Sequence, residues 1–230
     1  GNIFFYNEHD FFQIIHNFKK GNFCIDENTC SVFDHDLIRS NFKITSSTDP
    51  IYHLKAIKNQ TEIKNIIKCH IVDGVAVTKF LYWFKHNKKK IMERKIEFKI
   101  EEFRKKSKKY LYPSFDTIAG SGPNAAIIHY KSSNKTNRKL KNNDILLIDS
   151  GGQYKWGTTD ITRTTCVGKI PGEIKNNFTR VLKGHIAVAT CDLEKNYNGH
   201  LIDRIARKSL KRAGLDYAHG TGHGVGFFLN

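Results

Sequence analysis

The sequence predicts an α+β fold with antiparallel strands, and two observations carry this prediction. Two segments with helical spacing of apolar residues come first, short β-branched strands follow, and the same order then begins again. This order is a weak internal repeat of architecture. A glycine-containing loop joins the predicted strands 145–149 and 159–167, which is the connection expected of an antiparallel pair. The 230 residues suffice for one domain and part of another.

The predicted domain boundary lies between residues 47 and 48. Residues 1–47, which include the aromatic run from Ile3 to Tyr6, lack the pattern of a self-contained domain. We expect them to be the remnant of a preceding domain. The first residue is glycine rather than methionine, which agrees with a fragment and equally with processing. Residues 48–230 are expected to form the main domain, truncated at its C-terminal side.

The elements of the main domain follow from the spacing of its apolar residues. Asn59 and Glu62 have the spacing of a capping box in front of a first helix. The predicted apolar face of this helix consists of Ile63, Ile66, Ile67, His70, Ile71 and Gly74. A second helix is predicted over 91–109, with Met92, Ile96, Ile100 and Phe103 on one side. Later helices are predicted over 172–193 and 200–213, the latter ended by Gly214. The predicted strands are 117–119, 125–130, 145–149, 159–167 and a segment that starts at Tyr217.

Asp149 and Asp160 are the first candidate site residues. Asp149 ends an apolar run, and Asp160 lies among threonines, with several glycines in the segment between them. If the loop centres near Tyr154 and Lys155, the two carboxylates leave the same face roughly 5 Å apart. Carboxylates that close repel each other, so one is protonated or a cation lies between them. The alternative is a solvated hairpin with two ordinary turn aspartates, which fits the flanking residues less well.

His219 and His223 form the second candidate. They lie in HGTGHGVG, where four glycines allow the backbone to approach a ligand closely. On a strand, side chains four residues apart point to the same face. A purely structural glycine-rich strand is the alternative. Carboxylate oxygens with an added imidazole suit manganese, magnesium or zinc, so both candidates together predict divalent metal and water chemistry.

The order of these motifs resembles the Xaa-Pro aminopeptidases, a proline-specific branch of the dinuclear metallopeptidases with the pita-bread fold. The resemblance rests on LLIDSGGQY, GTTDITRT and HGTGHGVG, on the helical stretch that begins DPIYHLKAIKNQTEIKN, and on PSFDTIAGSGPNAAIIHY, which contains His129. It covers about Thr48 to Asn230. It implies a curved, mainly antiparallel sheet covered by helices and built from two pseudo-symmetric halves, of which the second is incomplete in this chain. The family also carries noncatalytic domains before the catalytic one.

The resemblance implies a role for each candidate residue. Asp149 matches a terminal, bidentate metal ligand, Asp160 a bridging one, and His223 a histidine ligand to one of two divalent ions, with Mn²⁺ the favoured metal. His219 matches a histidine that contacts substrate near the scissile bond, and His129 matches a histidine of the pocket beside it. The implied substrate is a peptide with proline in the second position, whose first residue is released. The implied assembly is a homodimer.

The resemblance further implies ligands that this chain does not contain. The family completes its dinuclear site with two glutamates, and another catalytic histidine stands beyond the position of Asn230. Two carboxylates leave two of the four positive charges of two divalent ions uncompensated. We therefore expect residues 1–230 alone to bind metal weakly and to have little or no peptidase activity. An unfinished sheet would also leave an unpaired edge and exposed apolar surface.

Other hydrolases fit the sequence less well. It contains neither the G-x-S-x-G motif of a serine hydrolase nor the HExxH helix of a zincin. Methionine aminopeptidase, creatinase and prolidase share the implied fold. The blocks around Asp149 and His219 nevertheless resemble the Xaa-Pro aminopeptidases most closely.

The net charge suggests a competing function. Thirty-eight Lys and Arg against 22 Asp and Glu give +16, and residues 85–109, with twelve basic and four acidic residues, carry half of this excess. The alternative is therefore a metal-free pita-bread protein that binds nucleic acid or an acidic partner through a basic surface. The lack of an RNA-binding motif and the presence of the candidate ligands favour the peptidase, for which no nucleic-acid partner is expected.

Cysteine usage and hydropathy bear on the compartment. The five cysteines are scattered and contain no C-x-x-C pair, which argues against a disulfide framework or a structural zinc. No apolar run approaches the length of a membrane helix, and the N-terminus lacks the pattern of a secretion signal. The sequence therefore predicts a cytoplasmic protein without a membrane partner.

Overall fold

The structure is a computed structural model that describes residues 4–18, 21–87, 91–196 and 198–229. It divides into two compact units, Gly1–Lys58 and Asn59–Asn230. The division lies after Lys58, further along the chain than the predicted position between residues 47 and 48. That the first unit is the remnant of a preceding domain stays a prediction.

The first unit contains a two-stranded parallel sheet. Its elements are helix α1 (Phe11–Asn17), strand β1 (Asn22–Ile25), helix α2 (Val32–Asn41), strand β2 (Lys43–Ser46) and helix α3 (Pro50–Ala56). Strand β1 pairs in parallel with β2, and α2 is the crossover between them. The amides of Ser47 and Asp49 donate to the Ile25 carbonyl and the Asp26 carboxylate at 3.0 Å each. These bonds tie the start of α3 to β1, which explains why the division falls after residue 47.

The second unit has the predicted α+β architecture. It begins with helices α4 (Gln60–Asn87) and α5 (Glu93–Lys105) and ends with helices α6 (Gly172–Ala189) and α7 (Gly199–Lys211). Between them lie strands β3 (Tyr110–Pro113), β4 (Ile118–Ser121), β5 (Ile145–Ser150), β6 (Gly152–Tyr154), β7 (Gly157–Thr158) and β8 (Ile161–Cys166). They form two three-stranded sheets in the orders β4-β5-β8 and β3-β6-β7, with antiparallel pairing throughout.

Helices α4 and α5 pack on the β4-β5-β8 sheet, and the main core lies between them. Strand β5 alternates as a half-buried strand should, because Leu146 and Ile148 are buried while their neighbours are less so. The core residues are Val77, Phe80, Phe84, Ile91, Ile96, Ile100, Ala119, Leu140, Leu146, Ile148 and Val167. Ile96 and Ile100 therefore occupy the side of α5 that their spacing predicts.

The antiparallel pair β5 and β8 positions the two candidate aspartates. Asp149 lies opposite Thr162, and Ser150 lies opposite Ile161, so Asp160 stands one residue outside the paired register. The chain between the two strands leaves this sheet and contributes β6 and β7 to the other one. The prediction that the two aspartates lie nearly opposite each other on a hairpin is thus close to the observed register.

The excursion between β5 and β8 depends on a close backbone approach at Gly151. A Cβ atom at this position would lie 1.9 Å from the Thr159 carbonyl oxygen and 2.2 Å from the Ser114 hydroxyl. Only glycine fits such a distance without displacing backbone. The segment that links the two aspartates is therefore packed tightly against its own return strand.

The buried face of α4 differs from the predicted one. The capping box is present, since the Glu62 amide donates to Asn59 Oδ1 at 2.9 Å and the Asn59 amide donates to Glu62 Oε2 at 2.8 Å. The predicted isoleucines Ile63, Ile67 and Ile71 are nevertheless 38, 56 and 64% exposed. The buried residues are Cys69, Asp73, Ala76, Val77, Phe80 and Phe84. The prediction was wrong because the core side of α4 contains a buried aspartate, which a count of apolar residues passes over.

Two predicted strands do not form among the described residues. Residues 125–130 follow Pro123 and belong to a short 3₁₀ helix (Gly122–Ala126) and a turn, because the proline favours helical φ at its start. Residues 217–229 contain no strand: the Phe227 carbonyl accepts side-chain hydrogen bonds from Gln153 and Thr158, but no described strand pairs with the segment through its backbone. Helix α7 ends before Gly214 at φ +70°, as predicted. No helix within the described ranges is both long and apolar enough to span a membrane.

Candidate active site

Four separate places in the chain bring candidate residues to one cavity of about 470 Å³. Asp149 comes from the end of β5, Asp160 from the residue before β8, His129 from the turn after the 3₁₀ helix, and His223 from the glycine-rich segment. The cavity is lined by Phe115, Asp116, Thr117, Ile118, His129, Tyr130, Lys131, Asp149, Asp160, His223 and Leu229. Four of the five predicted site residues therefore share this cavity, and His219 is not among its lining residues.

The two carboxylates are crowded and incompletely paired. Asp149 Oδ1 is buried and has no hydrogen-bond partner among the described residues. The Asp160 carboxylate lies beside it, and its Oδ2 is 3.2 Å from His223 Nε2. Burial raises the pKa of Asp160, and the neighbouring Asp149 charge raises it further, whereas His223 acts in the opposite direction. A bound cation would give the unpartnered Asp149 oxygen a partner and would stabilise the negative charge of Asp160.

The donors fit part of a divalent-metal site. Two carboxylates and one imidazole are ligands that manganese, magnesium and zinc accept. Within the described parts of the chain, however, no three His, Cys, Asp or Glu side chains converge closely enough to hold an ion by themselves. Asp149, Asp160 and His223 can therefore supply some ligands of a metal centre, and further anionic ligands are required to balance its charge.

His129 stands on a turn that a buried carboxylate organises. Its backbone is left-handed, with φ 54°, and its side chain is exposed at the cavity. The next residue, Tyr130, is buried and donates its hydroxyl to Glu93 Oε2 at 2.8 Å. Glu93 is fully buried and also accepts hydrogen bonds from Ser121, Asn124 and Arg138. The apolar spacing of the sequence does not single out Glu93; the signal that could have found it is an acidic residue in the first turn of α5.

His219 lies away from the carboxylates in the described structure. Its ring stacks on Tyr217 with centroids 4.6 Å apart, and its carbonyl oxygen accepts from Arg207 Nη2 at 2.9 Å. It lines a second cavity, of about 530 Å³, beside α6 and α7. The predicted common face of His219 and His223 requires a strand, and this segment is not one. The substrate contact assigned to His219 stays a prediction.

A buried ion pair lies directly behind the two carboxylates. Arg104 Nε donates to Asp73 Oδ1 at 2.7 Å and Arg104 Nη2 donates to Oδ2 at 3.1 Å. The Tyr154 hydroxyl donates to Oδ1 at 2.7 Å, and the Thr159 hydroxyl donates to Oδ2 at 2.8 Å. Arg104 Nη2 also donates to the Ser150 carbonyl at 3.3 Å. The sequence motifs do not predict this cluster, although an aspartate within the apolar stretch of α4, Asp73, is a signal for it.

The raised pKa of Asp160 predicts how stability responds to pH in the metal-free protein. A carboxyl group whose pKa is raised by folding stabilises the fold most below its ordinary value of 3.8, and this contribution is lost as pH rises through the raised value. Asp160→Asn should therefore raise the melting temperature of the chelator-treated protein by a few degrees at about pH 7. The gain should shrink on acidification towards the ordinary pKa.

Thermal unfolding followed by circular dichroism at both pH values measures this effect. Asp192→Asn, which changes an exposed loop carboxylate with a lysine neighbour, is the matched control and should show no comparable gain. A lower melting temperature for Asp160→Asn at neutral pH would contradict the prediction.

The fold and the site define a class of protein, the α+β metallopeptidases. The model of "Metallopeptidase family M24" matches residues 64–230. The chain belongs to this family, which is a family of hydrolases.

Curated relatives agree with this assignment. Two sequences described as "Probable Xaa-Pro aminopeptidase P", from Paracoccidioides brasiliensis (strain Pb03) and Laccaria bicolor, are each 45% identical to the chain over 192 and 195 residues. These alignments cover 82 and 84% of this chain but only 31 and 30% of the two relatives. The chain thus spans about a third of the length of these relatives.

Solved structures confirm the predicted pita-bread fold. The X-prolyl aminopeptidase of Caenorhabditis elegans, described as a cytosolic enzyme with a di-nuclear active site, matches with a TM-score of 0.75 and 36% identity over 85% of this chain and 32% of its own. A prolidase from Pyrococcus furiosus matches with a TM-score of 0.80 and 25% identity over 98% of this chain and 65% of its own. The helices and antiparallel sheets described above are therefore those of the pita-bread fold.

Proposed function

We propose that the protein is an Xaa-Pro aminopeptidase, which releases the first residue of peptides with proline in the second position. The observation that carries the proposal is the cavity in which the Asp149 and Asp160 carboxylates meet His223, with Asp149 Oδ1 buried and unpartnered among the described residues. The 45% identity to probable Xaa-Pro aminopeptidases P supports the choice of substrate over those of other M24 peptidases.

In this proposal Asp149, Asp160 and His223 hold two divalent ions together with ligands from outside the described residues, and Mn²⁺ is the favoured metal. When bound, such ions acidify a water molecule and polarise the scissile carbonyl. Asp160 lies beside both Asp149 and His223 and would hold the ions together with them, and Asp149 would offer its unpartnered Oδ1 as a further ligand. The two carboxylates must be deprotonated to act as ligands, so binding the ions overcomes the raised pKa of Asp160.

The peptide enters the cavity with its free amine towards the carboxylates. His129 lines the same cavity and is placed to contact the residues on either side of the scissile bond. His219 would reach the developing charge near that bond only if the glycine-rich segment moves, and four glycines in this segment permit such a movement. We further propose a homodimer and a cytoplasmic location.

The alternative function, a metal-free binding protein, has less support. Both carboxylates and His223 are present and share one cavity, whereas a binding protein has no need to crowd two aspartates. The net charge of +16 is the only feature in its favour.

Cleavage of three peptides tests the proposed function. The intact protein, treated with chelator and then supplied with Mn²⁺, Mg²⁺ or Zn²⁺, is incubated with Arg-Pro-Pro, Met-Ala-Ser and an Xaa-Pro dipeptide. We expect metal-dependent release of arginine from Arg-Pro-Pro, about tenfold or more faster than cleavage of the other two. Preferred release of methionine would identify a methionine aminopeptidase, and preferred cleavage of the dipeptide a prolidase. Cleavage that persists in chelator would overturn the proposal.

A further inference from the structure

We propose that Asp73 and Arg104 are positioning residues, which fix the separation of the Asp149 and Asp160 carboxylates so that both can hold metal. The inference rests on the proposed function, because it takes the two aspartates as metal ligands. Neither Asp73 nor Arg104 lines the cavity, and both side chains are fully buried, with 0% solvent accessibility. They act through the residues next to each ligand.

The first connection runs from Asp73 to Asp160. Asp73 Oδ2 accepts a 2.8 Å hydrogen bond from the hydroxyl of Thr159, the residue immediately before Asp160. The same hydroxyl accepts from the Gly152 amide at 2.9 Å, and the Thr159 carbonyl accepts from the Ser114 hydroxyl at 2.8 Å. Thr159 is fully buried. The backbone next to Asp160 is therefore held in place through both the side chain and the carbonyl of Thr159.

The second connection runs from Arg104 to Asp149. Arg104 Nη2 donates to the carbonyl of Ser150, the residue immediately after Asp149, at 3.3 Å. The same guanidinium holds Asp73 through two further bonds of 2.7 and 3.1 Å. The planar guanidinium of Arg104 thus contacts the backbone beside Asp149 and also binds the Asp73 carboxylate, which in turn holds Thr159 beside Asp160.

Tyr154 completes the cluster from the excursion between the two ligands. Its hydroxyl donates to Asp73 Oδ1 at 2.7 Å, and its ring is fully buried. Burial and the Asp73 charge raise the pKa of Tyr154, so that it remains a neutral donor. Among the described residues, the hydrogen bonds of the Asp73 carboxylate come from Arg104 in α5 and from Tyr154 and Thr159, which lie between the two candidate ligands.

A physical reason makes such a device necessary. Two carboxylates that approach each other without a cation repel, and the chain would otherwise relax by increasing their separation. A metal site gains affinity when its ligands are held in place before the ion binds, and residues that only orient ligands typically contribute 10–100-fold, roughly, to metal affinity. The Asp73 and Arg104 pair is the buried structure that resists this repulsion.

Metal affinity of three variants tests the inference. Asp73→Asn and Tyr154→Phe are compared with Asp144→Asn in the intact protein, by calorimetric titration with Mn²⁺ at a temperature where all are folded. Asp144 pairs with Arg138 at 2.5 Å and immediately precedes β5, at the end of the strand opposite to Asp149, so it is a matched aspartate–arginine control. We expect about 10–100-fold weaker Mn²⁺ binding for Asp73→Asn, a smaller loss for Tyr154→Phe, and affinity near that of the unmodified protein for Asp144→Asn.

Each outcome assigns the failure to one proposal. If the unmodified protein does not bind Mn²⁺, the proposed function fails. If the unmodified protein binds but Asp73→Asn and Tyr154→Phe bind equally well, the positioning role is overturned while the function stands. Equal weakening by Asp144→Asn would also overturn it, because general loosening of the fold would then explain the effect. Should Asp73→Asn not fold, Tyr154→Phe, which removes a single hydroxyl, decides between these outcomes.

Discussion

Asp149→Asn and Asp160→Asn are each expected to lower the turnover of Arg-Pro-Pro by the intact protein on the order of a thousandfold or more. Each substitution replaces a proposed anionic ligand by a neutral amide, although the two carboxylates together balance only two of the four charges of two divalent ions. At Asp149 it also removes the carboxylate whose Oδ1 is buried without a partner among the described residues. Metal content, measured on the purified variants, should fall together with activity.

His129→Ala provides the comparison for these two variants. His129 lines the same cavity but is not expected to be a ligand, so this variant should lose turnover and keep its metal. Loss of metal from His129→Ala would show that its proposed role is wrong. Full metal content and activity in either asparagine variant would remove that aspartate from the ligand set.

Arg104→Met is expected to cost about 3–5 kcal/mol in the free energy of unfolding, because it leaves the buried Asp73 carboxylate without its counter-charge. Asp73 is at 0% side-chain accessibility, so water cannot replace the guanidinium. Urea denaturation measures the change.

Lys105→Met is the matched control for this loss of stability. The neighbouring Lys105 is 66% exposed, and its contact with Glu101 is 3.6 Å long. A long contact made by a solvent-exposed lysine contributes about 0–1 kcal/mol. If the two methionine variants unfold at the same urea concentration, the ion pair of Arg104 does not stabilise the fold as argued.

The parts of the site that are local in sequence could be predicted, and the parts that depend on distant contacts could not. The separation of Asp149 and Asp160 along a hairpin follows from alternation and from the glycines between them, and the observed register differs little from it. The capping box at Asn59 is likewise a contact between residues three apart. Both features need only neighbouring residues.

The buried face of α4 required knowledge of the rest of the fold. The isoleucines of α4 predict one buried side, but the side that is buried in the fold contains Asp73. The hydrogen-bond partners of Asp73 are 31 residues away (Arg104), 81 residues away (Tyr154) and 86 residues away (Thr159). No local pattern identifies partners at such separations. For the same reason the sequence does not predict the role of Glu93, whose carboxylate accepts hydrogen bonds from residues 28–45 positions away.

The strand predicted from Tyr217 depends on a neighbour in another way. Glycines alternate with mostly polar residues in HGTGHGVG and permit an extended chain, but a strand forms only where a second strand pairs with it. Within the described residues no strand pairs with this segment, and the Cβ positions of Gly220, Gly222 and Gly224 meet no atom within 4 Å. His219 consequently lies beside α7 rather than at the carboxylates.

The tight packing at Gly151 limits how the sequence between the two aspartates can change. The excursion that begins there contributes strands to one sheet, while its two ends belong to the other. Adding or deleting one residue would shift the register of one strand by one residue, and the carboxylate at its end would then point to the opposite face of the sheet. We therefore expect the spacing of eleven positions from Asp149 to Asp160 to be constrained. Point substitutions at the β6–β7 turn should be tolerated, whereas insertions and deletions in this loop should not.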